Sequence, residues 1–248
     1  MKPSPLDILI VGGGPSGLYL ATLLKKGQPD HRVRILERNR FGDAYGFGVV
    51  FSDETLDNFE AADTVSFEEL ARSFRHWGEI KVHHPDGRNF RSGGHGFAAV
   101  GRHRLLEILT RRARDLGVDF EFSTEVGDFT DLPAADLIVG ADGANSVVRR
   151  HLATHLAPSI DLRRNRYIWF GTPKVFEEFN FIFEDTPAGM VWAHIYPYSD
   201  EGSTFIVEMA PETWTGLGLD QTQDEVLAPG SSDLVALARY VRKCSQRT

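Results

Sequence analysis

The amino-acid sequence predicts an α/β protein in which a parallel βαβ domain carries an added, mostly antiparallel sheet. In the first half of the chain, short apolar runs alternate with segments of helical spacing, which is typical of βαβ units. In the second half, four runs rich in aromatic and β-branched residues follow one another, separated by Pro, Gly and Asp turns. That composition is typical of strands joined directly to their neighbours.

The first element is a buried strand, Ile8–Val11, followed by a glycine turn and the start of a helix. The turn consists of Gly12, Gly13, Gly14, Pro15, Ser16 and Gly17. It matches the G-x-G-x-x-G fingerprint of dinucleotide-binding units, whose three glycines permit a tight turn, the approach of a pyrophosphate, and close helix packing. The free N–H groups of the first helical turn favour a phosphate.

The context of this turn strengthens the interpretation. A helix is predicted from Pro15 to Lys26, and a second strand, residues 33–37, ends at Glu37, twenty residues after Gly17. A carboxylate at that distance is expected to bind a ribose hydroxyl. The alternative is a glycine turn without a ligand. NAD-binding and FAD-binding folds share all of these features, so the motif by itself leaves the nucleotide open.

Two helices are expected in the next segment. Ser52 or Asp53 is a suitable cap for a helix with Leu56 and Phe59 on its inner face. A second helix is predicted over residues 66–77, where apolar residues recur at helical spacing.

Histidines occur around a predicted hairpin formed by residues 80–84 and 89–91. His83 and His84 are adjacent on a strand and therefore face opposite sides, so we expect no shared metal. His95, in a glycine-rich loop, is a candidate site residue, although the loop's glycines suit a simple turn equally well.

Two further βα units complete the predicted parallel domain. Arg102 begins an amphipathic helix that ends near Gly117, and a strand over residues 118–122 follows. Residues 136–140 form another apolar strand, and a glycine-containing turn then leads to a helix near Ser146. The carboxyl end of this strand is a second place where backbone N–H groups can meet a ligand.

The added sheet is predicted from strands at residues 166–171, 179–184, 191–196 and 204–209. It carries Trp169, Phe181, Trp192 and Phe205, which suit either a pocket for a flat substrate or the core of the sheet. We expect a nucleotide-binding domain at residues 1–158, to which residues 46–100 add part of the substrate side. The added sheet then covers residues 159–215, and a linker with a short helix covers residues 216–248.

Composition excludes several classes of partner. The net charge is −8 and the pI is near 5.6, so nucleic acid is not expected to bind. No apolar run is long enough to span a membrane, and no signal-peptide core precedes the first strand, so we expect a cytoplasmic protein. The single cysteine, Cys244, excludes an internal disulfide and a thiolate metal site, and no metal is expected.

Together these motifs resemble the single-component, group A FAD-dependent aromatic monooxygenases. The glycine turn with Glu37 and Arg38, Arg102 at its helix start, and residues 140–149 carry the resemblance. Residues 46–53, 91–97 and 203–208 are similar to the branch of salicylyl-CoA 5-hydroxylase and 2-aminobenzoyl-CoA monooxygenase, with the violacein-pathway tryptophan hydroxylase as a relative.

The resemblance implies a Rossmann-like FAD-binding domain and a set of cofactor contacts. Glu37 would bind the adenosine ribose, Arg38 and Arg102 would approach the adenosine and pyrophosphate, and Asp142 with Gly143 would lie near the phosphate and ribityl region. Gly46 and Gly48 would border the flavin ring.

The implied reaction is hydroxylation of an aromatic acid, an aromatic acyl-CoA or an indole amino acid. It consumes NAD(P)H and O2 and passes through a flavin C4a-hydroperoxide, so the cofactor carries the chemistry and no catalytic side chain is named. Flavin halogenation and Baeyer-Villiger oxidation are weaker alternatives, because their signatures are not found in the sequence.

The resemblance ends near residue 215. The family's third flavin motif and its following helical segment are not found, and residues 216–232 have a linker composition before a short helix over residues 233–243. We therefore expect a C-terminally truncated family member, whose exposed face a homodimer or another partner covers. The alternative is a non-catalytic remnant that retains the FAD-binding or nucleotide-binding fold.

Overall fold

The computed structural model describes residues 4–222. The chain divides into two compact units. The first unit contains residues 4–45, Phe51–Phe74 and Val100–Asp161. The second contains Gly46–Val50, Arg75–Ala99 and residues 162–222. The domain boundaries expected at residues 158 and 215 stay predictions.

The regular elements of the described residues are numbered here in chain order. The helices are α1 Pro15–Gly27, α2 Asp53–Ala62, α3 Thr64–Ala71, α4 Arg102–Asp115, α5 Val147–His151, α6 Ala153–Leu156 and α7 Pro211–Gly216. The strands are β1 Asp7–Val11, β2 Arg32–Glu37, β3 Gly48–Ser52, β4 Arg75–Trp77, β5 Ile80–His83, β6 Asn89–Ser92, β7 Phe97–Gly101, β8 Asp119–Phe122, β9 Leu137–Gly140, β10 Arg166–Thr172, β11 Phe179–Thr186, β12 Gly189–Pro197 and β13 Ser203–Met209.

The first unit is built on a parallel sheet in the order β8-β2-β1-β9. Ile8 of β1 pairs with Val33 on one side and with Leu137 on the other. The side chains of Ile8, Leu9 and Ile10 are fully buried, which requires cover on both faces of the sheet. This arrangement confirms the predicted α/β fold class.

Most predicted elements of the first unit are confirmed, and one is wrong. The helix expected over residues 66–77 ends at Ala71, and Arg75–Trp77 forms strand β4. Trp77 pairs with Phe97 of β7, so an aromatic cross-strand contact replaces the expected helical turn.

Asp63, at the junction of α2 and α3, is the centre of a buried ionic cluster. Its side chain is fully buried and accepts hydrogen bonds from Arg112 at 2.9 and 3.0 Å. Lys26 adds an ion pair at 2.9 Å, and Ser66 donates from its hydroxyl and its backbone N–H. Burial alone raises the pKa of the Asp63 carboxyl, but these hydrogen bonds outweigh it and hold the pKa well below its usual range.

The second unit contains a six-stranded sheet in the order β10-β13-β12-β11-β5-β6. Every pair in it is antiparallel except β11 with β5. This confirms the mostly antiparallel added sheet and the predicted hairpin β5-β6. A separate three-stranded sheet has the order β3-β7-β4.

The two faces of the six-stranded sheet have different roles. Alternate residues of β12 and β13 form a core with Phe176 and Trp214, and this core includes Phe205, which is 2% exposed. The residues between them, such as Trp192 and His194 on β12, lie on the opposite face. A second cluster contains Trp77, Ala99 and Tyr196.

Three expectations concern the remaining segments. His83 is buried and hydrogen-bonded to Asn180 at 2.9 Å, which gives it a structural partner. The helix predicted over residues 233–243 and Cys244 lie outside the described residues. Among the helices that are described, none has the length and apolar character needed to cross a membrane.

Candidate nucleotide-binding site

A cavity of about 500 Å³ lies where all four parallel strands of the first unit end. It is lined by Gly12 and Gly14 after β1, Arg38 after β2, Thr124–Val126 after β8, and Ala141–Gly143 after β9. Ligands of open α/β sheets bind at this edge, beyond the carboxyl ends of the strands. The structure thus brings Gly12 and Gly14 of the glycine turn together with the predicted residues after β2 and β9 around one space, whereas Pro15, Ser16 and Gly17 are not among its lining residues.

The glycines of this turn have two different explanations. A Cβ atom at Gly12 would lie 2.3 Å from the carbonyl oxygen of Ala141, and one at Gly17 would lie 2.1 Å from the carbonyl oxygen of Gly12. Gly12 also has φ +106°, so these two glycines are required by the fold itself. A Cβ atom at Gly14 would meet nothing within 4 Å. Its φ of −73° suits any residue, so the fold does not require glycine there.

Pro15 and Ser16 are placed as predicted. Pro15 begins α1, and Ser16 is exposed in the first helical turn. No side chain caps this helix end by a hydrogen bond. The N–H groups of the first turn are therefore available to an anion.

Glu37 lines the cavity and also holds the glycine turn. Its Oε2 accepts a hydrogen bond from Gly13 N at 2.7 Å, and its Oε1 accepts bonds from Asn39 N at 2.8 Å and Asn39 Nδ2 at 2.6 Å. Each carboxylate oxygen has two acceptor sites, so Oε2 can accept a second donor such as a ribose hydroxyl. Sequence reasoning missed Asn39, although its position two residues after the strand was a usable signal.

Arg102 lines the cavity and carries a buried polar atom without a partner among the described residues. Its Nε is buried and has no hydrogen-bond partner among residues 4–222. A buried N–H without a partner costs free energy, about 1–3 kcal/mol, unless a ligand accepts its hydrogen bond. Arg38 lines the same cavity and is exposed. Arg150 lines it as well, and three guanidinium groups on one cavity favour a phosphate-bearing ligand.

The carboxylate of Asp142 is hydrogen-bonded within the turn that follows β9. Its carboxylate accepts hydrogen bonds at 2.6 Å from Ser146 Oγ and from Val147 N, and it thereby supports the start of α5. Gly143 has φ +82°, which favours glycine, and a Cβ atom there would meet nothing within 4 Å. Gly143 therefore borders open space beside the cavity, as Gly14 does.

A second cavity, of about 310 Å³, adjoins the same region. It shares Gly14, Glu37, Asn39, Tyr45 and Arg102 with the larger cavity. Its other walls come from the loop after β2 and from α4. Gly13 lines this second cavity.

Gly46 and Gly48 belong to the second unit, where packing explains them. A Cβ atom at Gly46 would lie 2.7 Å from the Trp169 ring, and one at Gly48 would lie 2.6 Å from Tyr198 Cβ. Gly48 N also donates to Thr204 Oγ1 at 2.9 Å. Their expected position beside a flavin ring stays a prediction.

The remaining candidates also lie in the second unit. His95 contacts Ser92 Oγ through Nε2 at 2.8 Å, and its ring stacks on Phe97. Of the four aromatic residues considered for a substrate pocket, Phe205 belongs to the core. By alternation along the strands, Trp169, Phe181 and Trp192 lie on the opposite face of the sheet.

The larger cavity is therefore suited to a dinucleotide. It combines open space at two glycines, an available carboxylate acceptor and three guanidinium groups, and α1 begins directly after Gly14 in its wall. These groups match phosphates and a ribose. The residues line one cavity of one unit.

Two relatives of known name are similar to this chain. The chain is 46% identical over 215 residues to salicyloyl-CoA 5-hydroxylase from a Streptomyces species, a match that covers 87% of this chain and 41% of that protein. It is 32% identical over 247 residues to protodeoxyviolaceinate monooxygenase from Chromobacterium violaceum, covering 97% of this chain and 62% of that protein. The chain thus spans about two to three fifths of the length of these relatives.

Solved structures with the same fold include the tetrameric form of 2-methyl-3-hydroxypyridine-5-carboxylic acid oxygenase. The TM-score is 0.72 at 19% identity, and the match covers 98% of this chain and 67% of that one. The FAD binding domain family matches residues 5–134, which include the glycine turn, Glu37, Arg38 and Arg102. The chain therefore belongs to the FAD binding domain family.

Proposed function

We propose that the protein is, or forms part of, an FAD-dependent monooxygenase that hydroxylates an aromatic substrate with NAD(P)H and O2. The observation that carries this proposal is the first unit's larger cavity, with its open space at Gly14 and with Arg102 in its wall, whose Nε has no partner in the part of the chain that the structure describes. Its fit to a dinucleotide agrees with the family, and the two relatives described above are named as a hydroxylase and a monooxygenase.

The proposed cofactor contacts follow the cavity wall. The N–H groups after Gly14 and the guanidinium groups of Arg38 and Arg102 would hold the pyrophosphate, and Glu37 would accept a ribose hydroxyl. Gly12 and Gly17 would act indirectly, by keeping the turn closed. Asp142 would position Gly143 through its hydrogen bonds to the start of α5.

When bound, FAD supplies the redox chemistry of the reaction. One atom of O2 enters the aromatic ring and the other leaves as water, while NAD(P)H is oxidised to NAD(P)⁺ with uptake of one proton. The chain's own residues bind and orient, and the proposed substrate is a small aromatic acid, an aromatic acyl-CoA or an indole amino acid. We further propose that residues 1–158 hold FAD and residues 159–215 contribute to substrate binding.

A second candidate is an FAD-binding chain without turnover. The observation behind it is that the groups described in the larger cavity suit the binding of a nucleotide, which by itself requires no turnover. Both candidates predict FAD binding, so flavin retention alone does not separate them.

Purification followed by two measurements tests the proposal. We expect a yellow protein with a flavin absorbance band, and NAD(P)H oxidation that an aromatic substrate stimulates with formation of a hydroxylated product. Flavin retention without any product across the three substrate classes supports the second candidate. A colourless protein that does not take up added FAD contradicts both.

A further inference from the structure

We propose that His194 and Glu208, on the second unit's six-stranded sheet, recognise a ring hydroxyl or amino group of an aromatic acyl thioester. This inference rests on the proposed function: it takes the acyl-CoA class named there, to which the substrate in the name of the 46% identical relative belongs, and states how the ring would be selected.

The two residues lie on the face of the sheet that does not form its core. On β12, Val191, Ala193 and Ile195 are core residues, so His194 between them points to the other face. On β13, Val207 and Met209 are core residues, and Glu208 lies between them. The same face carries Trp192 and Phe181, which provide flat apolar surfaces beside the two polar groups.

Glu208 is held in a defined position. Its Oε1 accepts a hydrogen bond from Asn165 Nδ2 at 2.9 Å, and its Oε2 accepts one from Trp192 Nε1 at 3.3 Å. Its side chain is 26% exposed. The carboxylate is therefore oriented by two neighbours and can still accept a bond from a ligand, because each oxygen has a second acceptor site.

The imidazole of His194 lies next to this carboxylate. Its ring meets Phe181 edge to face with centroids 4.9 Å apart, and 28% of its side chain is exposed. Its Nε2 lies 3.9 Å from Glu208 Oε2, which is too long for a hydrogen bond. Burial lowers the pKa of His194, an effect that the Glu208 charge opposes, and the neutral ring that results can accept as well as donate.

The distance between the two groups determines which ligand group can hydrogen-bond to both. A single oxygen or nitrogen atom can lie within about 2.8 Å of two partners that are 3.9 Å apart. A ring hydroxyl or amino group could then hydrogen-bond to both while its ring contacts Trp192 or Phe181. An unsubstituted ring would leave the imidazole and the carboxylate without this partner, so the pair would select against it.

The test compares two ligands that differ only in the ring hydroxyl, 2-hydroxybenzoyl-CoA and benzoyl-CoA. Dissociation constants are measured with the FAD-loaded protein by calorimetry. We expect the wild type to prefer the hydroxylated ligand by about 10-fold, the size of one good hydrogen bond. His194→Phe should abolish the preference, His194→Gln should retain part of it, and Glu208→Gln should reduce it.

His84→Phe is the matched control, because His84 is an exposed histidine on the β5-β6 hairpin and pairs with Asp86. It should leave the preference unchanged. Equal affinity of the wild type for both ligands, binding of neither, or an undiminished preference in His194→Phe would each overturn the inference. FAD content and NAD(P)H oxidation, measured on the same preparations, report separately whether the proposed function holds.

Discussion

Two polar regions of the first unit contrast with each other. Around Asp63, every strong polar group has a partner from the protein: Arg112, Lys26 and Ser66 surround a carboxylate that is fully buried. Near the cavity, Arg102 Nε is buried without a partner among residues 4–222, and Gly14 faces open space. The polar groups of the first region are satisfied by one another, whereas the second region leaves a buried N–H that a ligand can satisfy. Substitutions in the two regions should therefore affect different quantities.

The largest effect on stability is expected from Asp63→Ala. Removing the carboxylate leaves the Arg112 and Lys26 charges without their shared partner, which should lower the free energy of unfolding by about 3–5 kcal/mol. Urea denaturation of the flavin-free protein measures this. Asp86→Ala, which removes an exposed carboxylate paired with Arg88, should change the unfolding free energy little. Similar losses in both variants would contradict the special status of the Asp63 cluster.

Gly14→Val should instead weaken FAD binding and leave the stability of the flavin-free protein unchanged. A branched side chain would occupy the open space before the helix N-terminus and weaken FAD binding by at least roughly 100-fold, equivalent to about 2.7 kcal/mol. The flavin-free protein should remain folded, since no described residue other than its neighbours along the chain comes within 4 Å of the added Cβ. Flavin content and the melting temperature of the apoprotein test the two parts.

Gly12→Ala is the matched control for Gly14→Val, because it adds a side chain to a glycine of the same turn that the fold itself requires. Its Cβ would meet Ala141 O at 2.3 Å, so the apoprotein itself should lose stability. If Gly14→Val kept its flavin, the assignment of the open space to a phosphate would be wrong.

Arg102→Ala should weaken FAD binding by roughly 10-fold, because one charge-assisted hydrogen bond is removed. The melting temperature of the flavin-free form should not fall, since Arg102 Nε has no partner there within the described residues. Arg104→Ala is the control on the same helix. Arg104 pairs with Glu69 and Glu107, so its loss should affect folding slightly and FAD affinity not at all. A marked drop in apoprotein stability for Arg102→Ala would identify Arg102 as structural.

The smallest expected effect is on pH dependence. The pKa of Asp63 is lowered in the folded state, so its stabilising contribution is present above the unfolded value of about 3.9 and is lost as pH falls toward the folded pKa. Below about pH 5, the wild-type unfolding free energy should fall more steeply than that of Asp63→Asn, by at most about 1.4 kcal/mol per pH unit. Parallel slopes from pH 5 to pH 3 would show that this carboxylate does not protonate with unfolding.

Local patterns in the sequence were sufficient for most elements of the first unit. The glycine turn, α4 with its terminal Gly117, and the strands at β1, β2 and β9 all follow from apolar spacing and turn chemistry. The error at residues 66–77 shows the limit, because the aromatic spacing there suited a helix. The partner that makes Arg75–Trp77 a strand is β7, about twenty residues away in sequence.

The sequence by itself determined the class of fold, the glycine fingerprint and the membership that the family comparison confirmed, because these depend on short-range spacing and residue type. Tertiary structure alone decided which glycines the fold needs, that Glu37 binds Gly13 and Asn39, and that Arg102 Nε lacks a partner within residues 4–222. It also decided that Phe205 lies in the core of the six-stranded sheet, whereas Trp169, Phe181 and Trp192 lie on the opposite face. The physical reason is that packing contacts and unpaired hydrogen bonds are relations between residues distant in sequence, which periodicity does not encode.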